Sequence, residues 1–197
     1  MGNLGSIMNM LIRVEAQAII SSDAEEIGRA EKLILPGIGS FDNGMQRLHF
    51  LGLVPMINHK VLVERIPILG ICLGMQLMTR NSEEGKLPGF GWVEAETVRF
   101  NFESCEQRLK IPHMGWNQVR IEKKSLLFKD MYDQPRFYFV HSYHVACHRP
   151  EDILTRTYYG REFTSAFQCD NIIGVQFHPE KSHKYGMKLF ENFAKTL

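Results

Sequence analysis

The stretch ILGICLGMQLM, residues 68–78, decides the fold. Its first four residues form a continuous apolar run that predicts a buried strand, and its last four have the spacing of a helix. Between them Cys72 lies between two glycines, in the strand, sharp turn and helix arrangement of a nucleophile elbow. Such a turn holds the sulfur at the carboxyl edge of the sheet, and the helix N-terminus that follows stabilises a thiolate. The pattern favours a cysteine nucleophile, but alone it is equally compatible with a buried cysteine packed between glycines.

Short apolar strands and helices alternate through the first half of the chain. Helices are predicted over residues 6–13 and 42–65, the second broken at residues 52–55, and strands over residues 17–21 and 32–35. Beyond Gly91, β-branched and aromatic runs predict strands over residues 96–101, 137–146, 153–158, 165–168 and 172–177, before a last helix over residues 184–195. We therefore expect an α/β fold, with a mostly parallel central sheet flanked by helices and extended by antiparallel strand additions.

Composition and charge exclude several classes of protein. The 197 residues contain no repeat or linker, so we expect one domain over residues 1–197. A net charge of +1 without a basic block argues against nucleic-acid binding. The apolar stretch 61–78 is interrupted by Glu64, Arg65 and Pro67, so we expect no membrane span and a cytoplasmic protein. Four cysteines without a CxxC pair argue against structural zinc, and we expect neither metal nor cofactor.

A backbone turn before residue 42 could assist a nucleophile at Cys72. A thiolate that attacks an amide carbonyl creates an oxyanion, which needs a backbone donor in addition to Leu73 N–H. Residues 36–40, PGIGS, follow a predicted strand, and their glycines let a backbone N–H approach a substrate. The same turn could simply start a helix capped by Ser40 or Asp42.

Residues 176–180, QFHPE, provide a candidate base. A cysteine hydrolase needs an imidazole that holds the thiolate and protonates the leaving group, and a carboxylate that orients the ring. Pro179 restricts His178 to an extended conformation, so that His178 and Glu180 can project toward one site. A histidine and a glutamate at this spacing also arise by chance, so the motif alone is a weak signal.

The motifs PGIGSF, GICLGMQL and QFHPEKS, in this order and spacing, resemble the class I glutamine amidotransferase family. MGNLGS, IPHMGWN and FYFVHSY, at residues 1–6, 111–117 and 137–143, narrow the resemblance to glutaminase subunits of imidazole glycerol phosphate synthases, from histidine biosynthesis. The resemblance covers nearly the whole chain. It implies a glutaminase that hydrolyses L-glutamine to glutamate and ammonia. It also implies a heterodimer with a barrel-shaped synthase (cyclase) subunit, which uses the ammonia to make imidazole glycerol phosphate and AICAR.

The same resemblance implies a role for each matching residue. Cys72 would be the nucleophile, His178 the general acid and base, and Glu180 the residue that orients His178. Three further sets would form the oxyanion hole (Ile38, Gly39, Leu73), the glutamine pocket (Gln76, Glu84, His141, Ser142, Tyr143) and the partner interface (Asn3, Met114, Trp116, Tyr138, Lys181). Without the resemblance, Gln76 and Glu84 could equally lie on a solvated helix face, and the aromatic residues could belong to the core.

Two alternatives stay open on the sequence. The fold and the glutaminase chemistry do not depend on where ammonia goes, so a paralogue could supply ammonia for amidination of a surface-polysaccharide sugar. Trp92 motivates this alternative, because the family more often has a Gly-Leu-Gly-Leu type segment there. A non-enzymatic protein or a cysteine peptidase of the same fold is the other alternative, and the intact motif at residues 178–180 weighs against it.

The start of the chain differs from the family pattern. The family places a buried strand and a turn before the MGNLGS segment, whereas here Met1 begins that segment. We therefore expect Met1 to be an internal methionine, preceded in the natural protein by roughly ten residues, about one strand and its turn. A natural short form is the alternative.

Overall fold

A mixed eight-stranded sheet forms the centre of the fold in this computed structural model, which describes residues 4–102 and 109–197. Its parallel part consists of β1 (Leu33–Gly37), β2 (Ile68–Cys72) and β10 (Ile172–Val175), with β2 in the middle. Antiparallel strands continue the sheet from β10: β9 (Arg161–Cys169), β7 (Tyr143–Cys147) and β3 (Ala95–Arg99), with β8 (Ile153–Tyr159) and β5 (Arg120–Ile121) branching from β9. The predicted parallel centre with antiparallel additions is confirmed, although among the described residues the parallel part consists of these three strands alone.

Helices cover both faces of this sheet. They are α1 (Leu4–Arg13), α2 (Ala24–Gly28), α3 (Phe41–Phe50), α4 (Leu53–Asn58), α5 (Leu73–Leu77) and α6 (His183–Lys195), with a π-helical turn at His59–Val63 after α4. Side chains alternate across β2, so Ile68 packs among α2 to α5, whereas Leu69 packs on the face covered by α1 and α6. Among the described residues, no helix has both the length and the apolar character needed to cross a bilayer.

A second, two-stranded antiparallel sheet joins β4 (His113–Gln118) to β6 (Arg136–His141). The strand predicted over residues 137–146 is therefore two strands, because the chain leaves one sheet at β6 and enters the other at β7. Continuous apolar and aromatic character cannot reveal such a change of sheet. Strand β4 was not among the predicted strands, because its inward positions are His113, Gly115 and Asn117, which give no apolar alternation.

The prediction of a strand over residues 17–21 is wrong. No strand is present there, and Ile19 and Ile20 are 71% and 56% exposed. An extended apolar segment becomes a strand only when a neighbour satisfies its backbone N–H and C=O groups. Within residues 4–102 and 109–197, nothing pairs with this segment, and β1 pairs with β2 alone.

Candidate active site

Cys72 lies at the turn between β2 and α5 with a backbone φ of 54°. A positive φ is strained for a residue other than glycine, and such strain is characteristic of functional turns. The turn also brings Gly74 against β1. A Cβ atom at Gly74 would lie 1.8 Å from the carbonyl oxygen of Leu35, so the close approach requires glycine. The elbow predicted from the sequence is therefore present, with Cys72 only 8% exposed.

His178 and Glu180 form a buried pair beside the elbow. Nδ1 of His178 lies 2.8 Å from Oε1 of Glu180, and both side chains are at most 3% exposed. Burial opposes protonation of the ring, but Cys72 and Glu180 together outweigh it and raise the pKa of His178 to about 9. Nε2 of His178 makes no hydrogen bond among the described residues. The ring is therefore oriented through Nδ1, and Nε2 is free to exchange a proton.

The backbone of His178 is fixed by β6 and by the start of α6. His178 N–H donates to the carbonyl oxygen of Tyr138 at 2.8 Å. The hydroxyl of Ser182 donates to the carbonyl oxygen of His178 at 2.6 Å and accepts from Tyr138 N–H at 3.0 Å. The backbone that carries the imidazole is thus held by hydrogen bonds to the backbone of Tyr138 and to Ser182.

A cavity of about 410 Å³ opens above Cys72. It brings together residues that the sequence assigned to the nucleophile, the base, the oxyanion hole and the glutamine pocket: Ile38, Gly39, Cys72, Leu73, Gln76, Glu84, His141, Ser142, Tyr143 and His178. Glu180 lies behind His178, and Pro112 and Val140 line the cavity without having been predicted. Another hollow of about 480 Å³, between the C-terminal end of α1 and the side of α6, is lined mainly by charged side chains and contains no cysteine or serine.

Two acidic residues fasten the loops on either side of the cavity to each other. Oε2 of Glu84 accepts from Phe41 N–H at 2.8 Å, at the start of α3. The carboxylate of Asp42 accepts in return from the N–H groups of Lys86 and Leu87 at 3.0 Å, and these bonds lower the pKa of Asp42. The turn that carries Ile38 and Gly39 is thereby tied to the loop that carries Glu84. The sequence predicted Asp42 only as a helix cap, whereas its carboxylate joins two loops.

Buried histidines support the far wall of the cavity. Nδ1 of His141 lies 2.8 Å from the carbonyl oxygen of Tyr143, and Nε2 of His141 lies 3.0 Å from Nδ1 of His113. Burial lowers the pKa of His141 well below its usual value and that of His113 to about 4. Both rings are therefore neutral near pH 7, and each can donate through one nitrogen and accept through the other.

Four of the five predicted interface residues lie on one face around the second sheet. Trp116 and Tyr138 are opposite each other in β4 and β6, and Nζ of Lys181 lies 5.5 Å from the centre of the Tyr138 ring. Met114 and Trp116 are 62% and 46% exposed. Asn3 lies outside the described residues.

Trp92, the departure from the usual family segment, lies away from this face. Its ring stacks on Phe90 with 4.0 Å between the ring centres, and its Nε1 donates to Oδ1 of Asn58 at 2.8 Å, so Trp92 packs within the fold.

A strained cysteine elbow, an oriented imidazole and a cavity above the sulfur are the elements that a cysteine-dependent hydrolase or transferase requires. The chain belongs to the glutamine amidotransferase class-I family, whose model matches residues 5–197. The "Imidazole glycerol phosphate synthase subunit HisH 2" of Methanococcus maripaludis is 55% identical over 99% of this chain and 95% of that protein. A protein of the same name from Pseudomonas aeruginosa is 50% identical over 100% of this chain and 96% of its own length.

Solved structures agree on the fold. A crystal structure of a glutamine amidotransferase has a TM-score of 0.67 at 18% identity, covering 96% of this chain and 94% of that one. The glutaminase domain of Trypanosoma brucei CTPS, solved with bound acivicin, has a TM-score of 0.64 at 19% identity, covering 97% of this chain and 86% of that one.

Proposed function

We propose that this chain is the glutaminase subunit of an imidazole glycerol phosphate synthase and supplies ammonia for histidine biosynthesis. One observation carries the proposal. Cys72, the His178–Glu180 pair and the residues predicted to bind the substrate glutamine all meet at one cavity. Relatives that carry the name of this subunit over nearly their whole length support the biological setting.

Cys72 attacks the side-chain amide carbon of glutamine, and a tetrahedral intermediate forms. The N–H of Leu73 and the peptide between Ile38 and Gly39 stabilise its oxyanion. His178 protonates the nitrogen as the C–N bond breaks, which releases ammonia and leaves a glutamyl thioester on Cys72. Water then attacks the thioester with His178 as the base, and glutamate leaves as the thiol is restored. Glu180 keeps the ring oriented through both steps.

The remaining cavity residues hold the amino-acid part of glutamine. Gln76 and Glu84 offer oxygen atoms that can accept hydrogen bonds from its ammonium group. The backbone of residues 141–143 forms the opposite wall. Glu84 also accepts from Phe41 N–H. Recognition of the substrate and the position of the turn that carries Ile38 and Gly39 therefore depend on the same carboxylate.

A synthase (cyclase) subunit in a heterodimer is the partner in this proposal. Free ammonia is largely protonated near neutral pH and is then no nucleophile, so direct transfer to a docked enzyme conserves it. The exposed face of Met114, Trp116, Tyr138 and Lys181 is the proposed docking surface, and Tyr138 connects it to His178. The cytoplasmic location and the absence of nucleic-acid binding stay predictions.

A second acceptor for the ammonia has one observation in its favour. Both relatives described above carry the number 2 in their names. A second copy of such a subunit is free to serve a different synthase, and a sugar amidination reaction fits the same glutaminase chemistry. Identification of the product made with the co-purified partner separates the two acceptors.

Turnover by the complex of this chain with its partner tests the glutaminase assignment. Cys72→Ala is expected to abolish glutamine-dependent synthesis and to leave ammonia-dependent synthesis intact, since the synthase chemistry belongs to the other chain. Cys147→Ala is the matched control, because burial raises the pKa of the Cys147 thiol to about 12 and makes it a poor nucleophile. Loss of both activities in Cys72→Ala, or glutamine-dependent synthesis that survives it, contradicts the assignment.

A further inference from the structure

Gln176 is a fully buried polar side chain in contact with the nucleophile. It follows β10, two residues before His178, and is 0% exposed. Its Nε2 lies 3.8 Å from Sγ of Cys72, within hydrogen-bond range for sulfur, and its Oε1 lies 3.1 Å from Nε2 of Gln76. The backbone N–H of Gln176 donates to the carbonyl oxygen of Ser165 at 2.9 Å, which anchors the residue to β9. Both the nitrogen and the oxygen of the Gln176 side-chain amide therefore have hydrogen-bond partners.

The hydrogen-bond partners of Gln76 and Gln176 determine which atom of each side-chain amide faces which neighbour. Nε2 of Gln76 donates both to Gln176 Oε1 and to the carbonyl oxygen of Tyr143, each at 3.1 Å. That carbonyl also accepts from Nδ1 of His141 at 2.8 Å. With both amide hydrogens of Gln76 in use, its Oε1 is the atom left for a ligand in the cavity. Since Gln176 accepts through oxygen, its amide nitrogen must be the atom that points at Cys72.

We propose that Gln176 is a positioning residue for glutamine hydrolysis, with two tasks. It donates a hydrogen bond to the sulfur of Cys72, which favours the thiolate. It also holds the Gln76 amide so that an acceptor oxygen faces the substrate, as the ammonium group of glutamine requires. The second task rests on the proposed function, whereas the first depends only on the geometry around Cys72.

Two variants of Gln176 separate these tasks. Gln176→Leu removes both hydrogen bonds, whereas Gln176→Glu keeps an acceptor for Gln76 and replaces the donor to sulfur by a carboxylate. Loss of the hydrogen bond to sulfur is expected to slow alkylation of Cys72 by iodoacetamide in both variants. The alkylation rate at pH 7 then falls about tenfold in both.

Kinetics of glutamine hydrolysis by the complex report the second task. Gln176→Leu is expected to raise KM for glutamine about tenfold because Gln76 loses its orientation, and to lower kcat about tenfold because Cys72 loses its hydrogen bond. Gln176→Glu is expected to lower kcat with KM within about twofold of the wild type. Gln168→Leu is the matched control: its amide is also bonded at both ends, to Ser125 and to the carbonyl oxygen of Asp170, outside the cavity. It should change neither alkylation nor kinetics.

The outcomes distinguish a failure of either task of Gln176 from a failure of the proposed function. Wild-type alkylation kinetics in both Gln176 variants overturn the thiolate task, and unchanged KM in Gln176→Leu overturns the orienting task. A change in melting temperature alone, with both readouts unaltered, makes Gln176 a structural residue only. Absence of glutamine hydrolysis by the wild-type complex contradicts the proposed function instead, while the alkylation experiment still tests the contact with Cys72.

Discussion

Replacing Glu180 by glutamine removes one negative charge from the most buried ion pair of the site and conserves its shape. The pKa of His178 is about 9, against an ordinary value of 6.5, a difference of about 2.5 units. At about 1.36 kcal/mol per unit, protonation of the ring is favoured by about 3.4 kcal/mol in the folded protein. Cys72 and Glu180 share this effect, so we assign about 1 to 2 kcal/mol to Glu180.

The sign of the pH dependence follows from the raised pKa. Stabilisation from a protonated His178 is fully present below pH 6.5, the unfolded value, and disappears as the pH rises through about 9. The difference in unfolding free energy between the wild type and Glu180→Gln should therefore be about 1 to 2 kcal/mol larger at pH 6 than at pH 10. Urea unfolding at both pH values measures it. We also expect kcat to fall on the order of 10²-fold or more, because the ring loses its orienting carboxylate.

Glu191→Gln is the control for this experiment. Glu191 forms a partly exposed pair with Lys188 at 3.2 Å, and surface pairs contribute about 0 to 1 kcal/mol. Its substitution should leave kcat unchanged and alter stability by the same small amount at both pH values. If Glu180→Gln loses equal stability at pH 6 and pH 10 and retains its kcat, the charged pair assigned to His178 is wrong.

Three other substitutions test the elbow at Cys72, the hydrogen bonds by which Asp42 joins two loops beside the cavity, and the proposed docking surface. Gly74→Ala should lower stability by about 1 to 3 kcal/mol or prevent folding in thermal melts, since its Cβ meets the Leu35 carbonyl, whereas Gly5→Ala has open space and should be tolerated. Asp42→Ala should raise KM for glutamine severalfold, because the loop that carries Glu84 loses its hydrogen bonds to Asp42, with little change in iodoacetamide labelling of Cys72. An unchanged KM would show that these hydrogen bonds do not position the glutamine pocket. Trp116→Ala should weaken partner binding by about 2 kcal/mol in calorimetry without lowering the melting temperature; unchanged affinity would remove Trp116 from the interface.

The sequence predicted those parts of the fold that local chemistry determines. Residues 68–78 contain both the strand and the glycines that the elbow requires, and the structure forms the elbow there. The break near Gly52 was also predictable, because that residue has a φ of 66° between α3 and α4. The strand predicted over residues 17–21 failed for a nonlocal reason: apolar character does not supply a neighbouring strand.

The site was predictable to the extent that its residues lie in motifs. Cys72, His178, Ile38, Gly39 and Gln76 lie in the motifs PGIGSF, GICLGMQL and QFHPEKS, whereas Glu84 and residues 141–143 lie outside them and were placed by the wider resemblance. Gln176 lies in the same QFHPE motif, but the contact that gives it a role joins it to Gln76, 100 positions away. His113 likewise acquires its contact only when β4 pairs with β6. Contacts between segments that are far apart in the chain leave no local trace in the sequence.

Covalent labelling by a glutamine-like electrophile tests the central claim most directly. The complex of this chain with its partner is treated with 6-diazo-5-oxo-L-norleucine, with and without excess glutamine, and every cysteine peptide is examined by mass spectrometry. Cys72 alone should be modified, glutamine should protect it, and loss of glutaminase activity should follow the extent of modification. Modification of Cys105, Cys147 or Cys169 in place of Cys72, or full activity with Cys72 modified, would contradict the account.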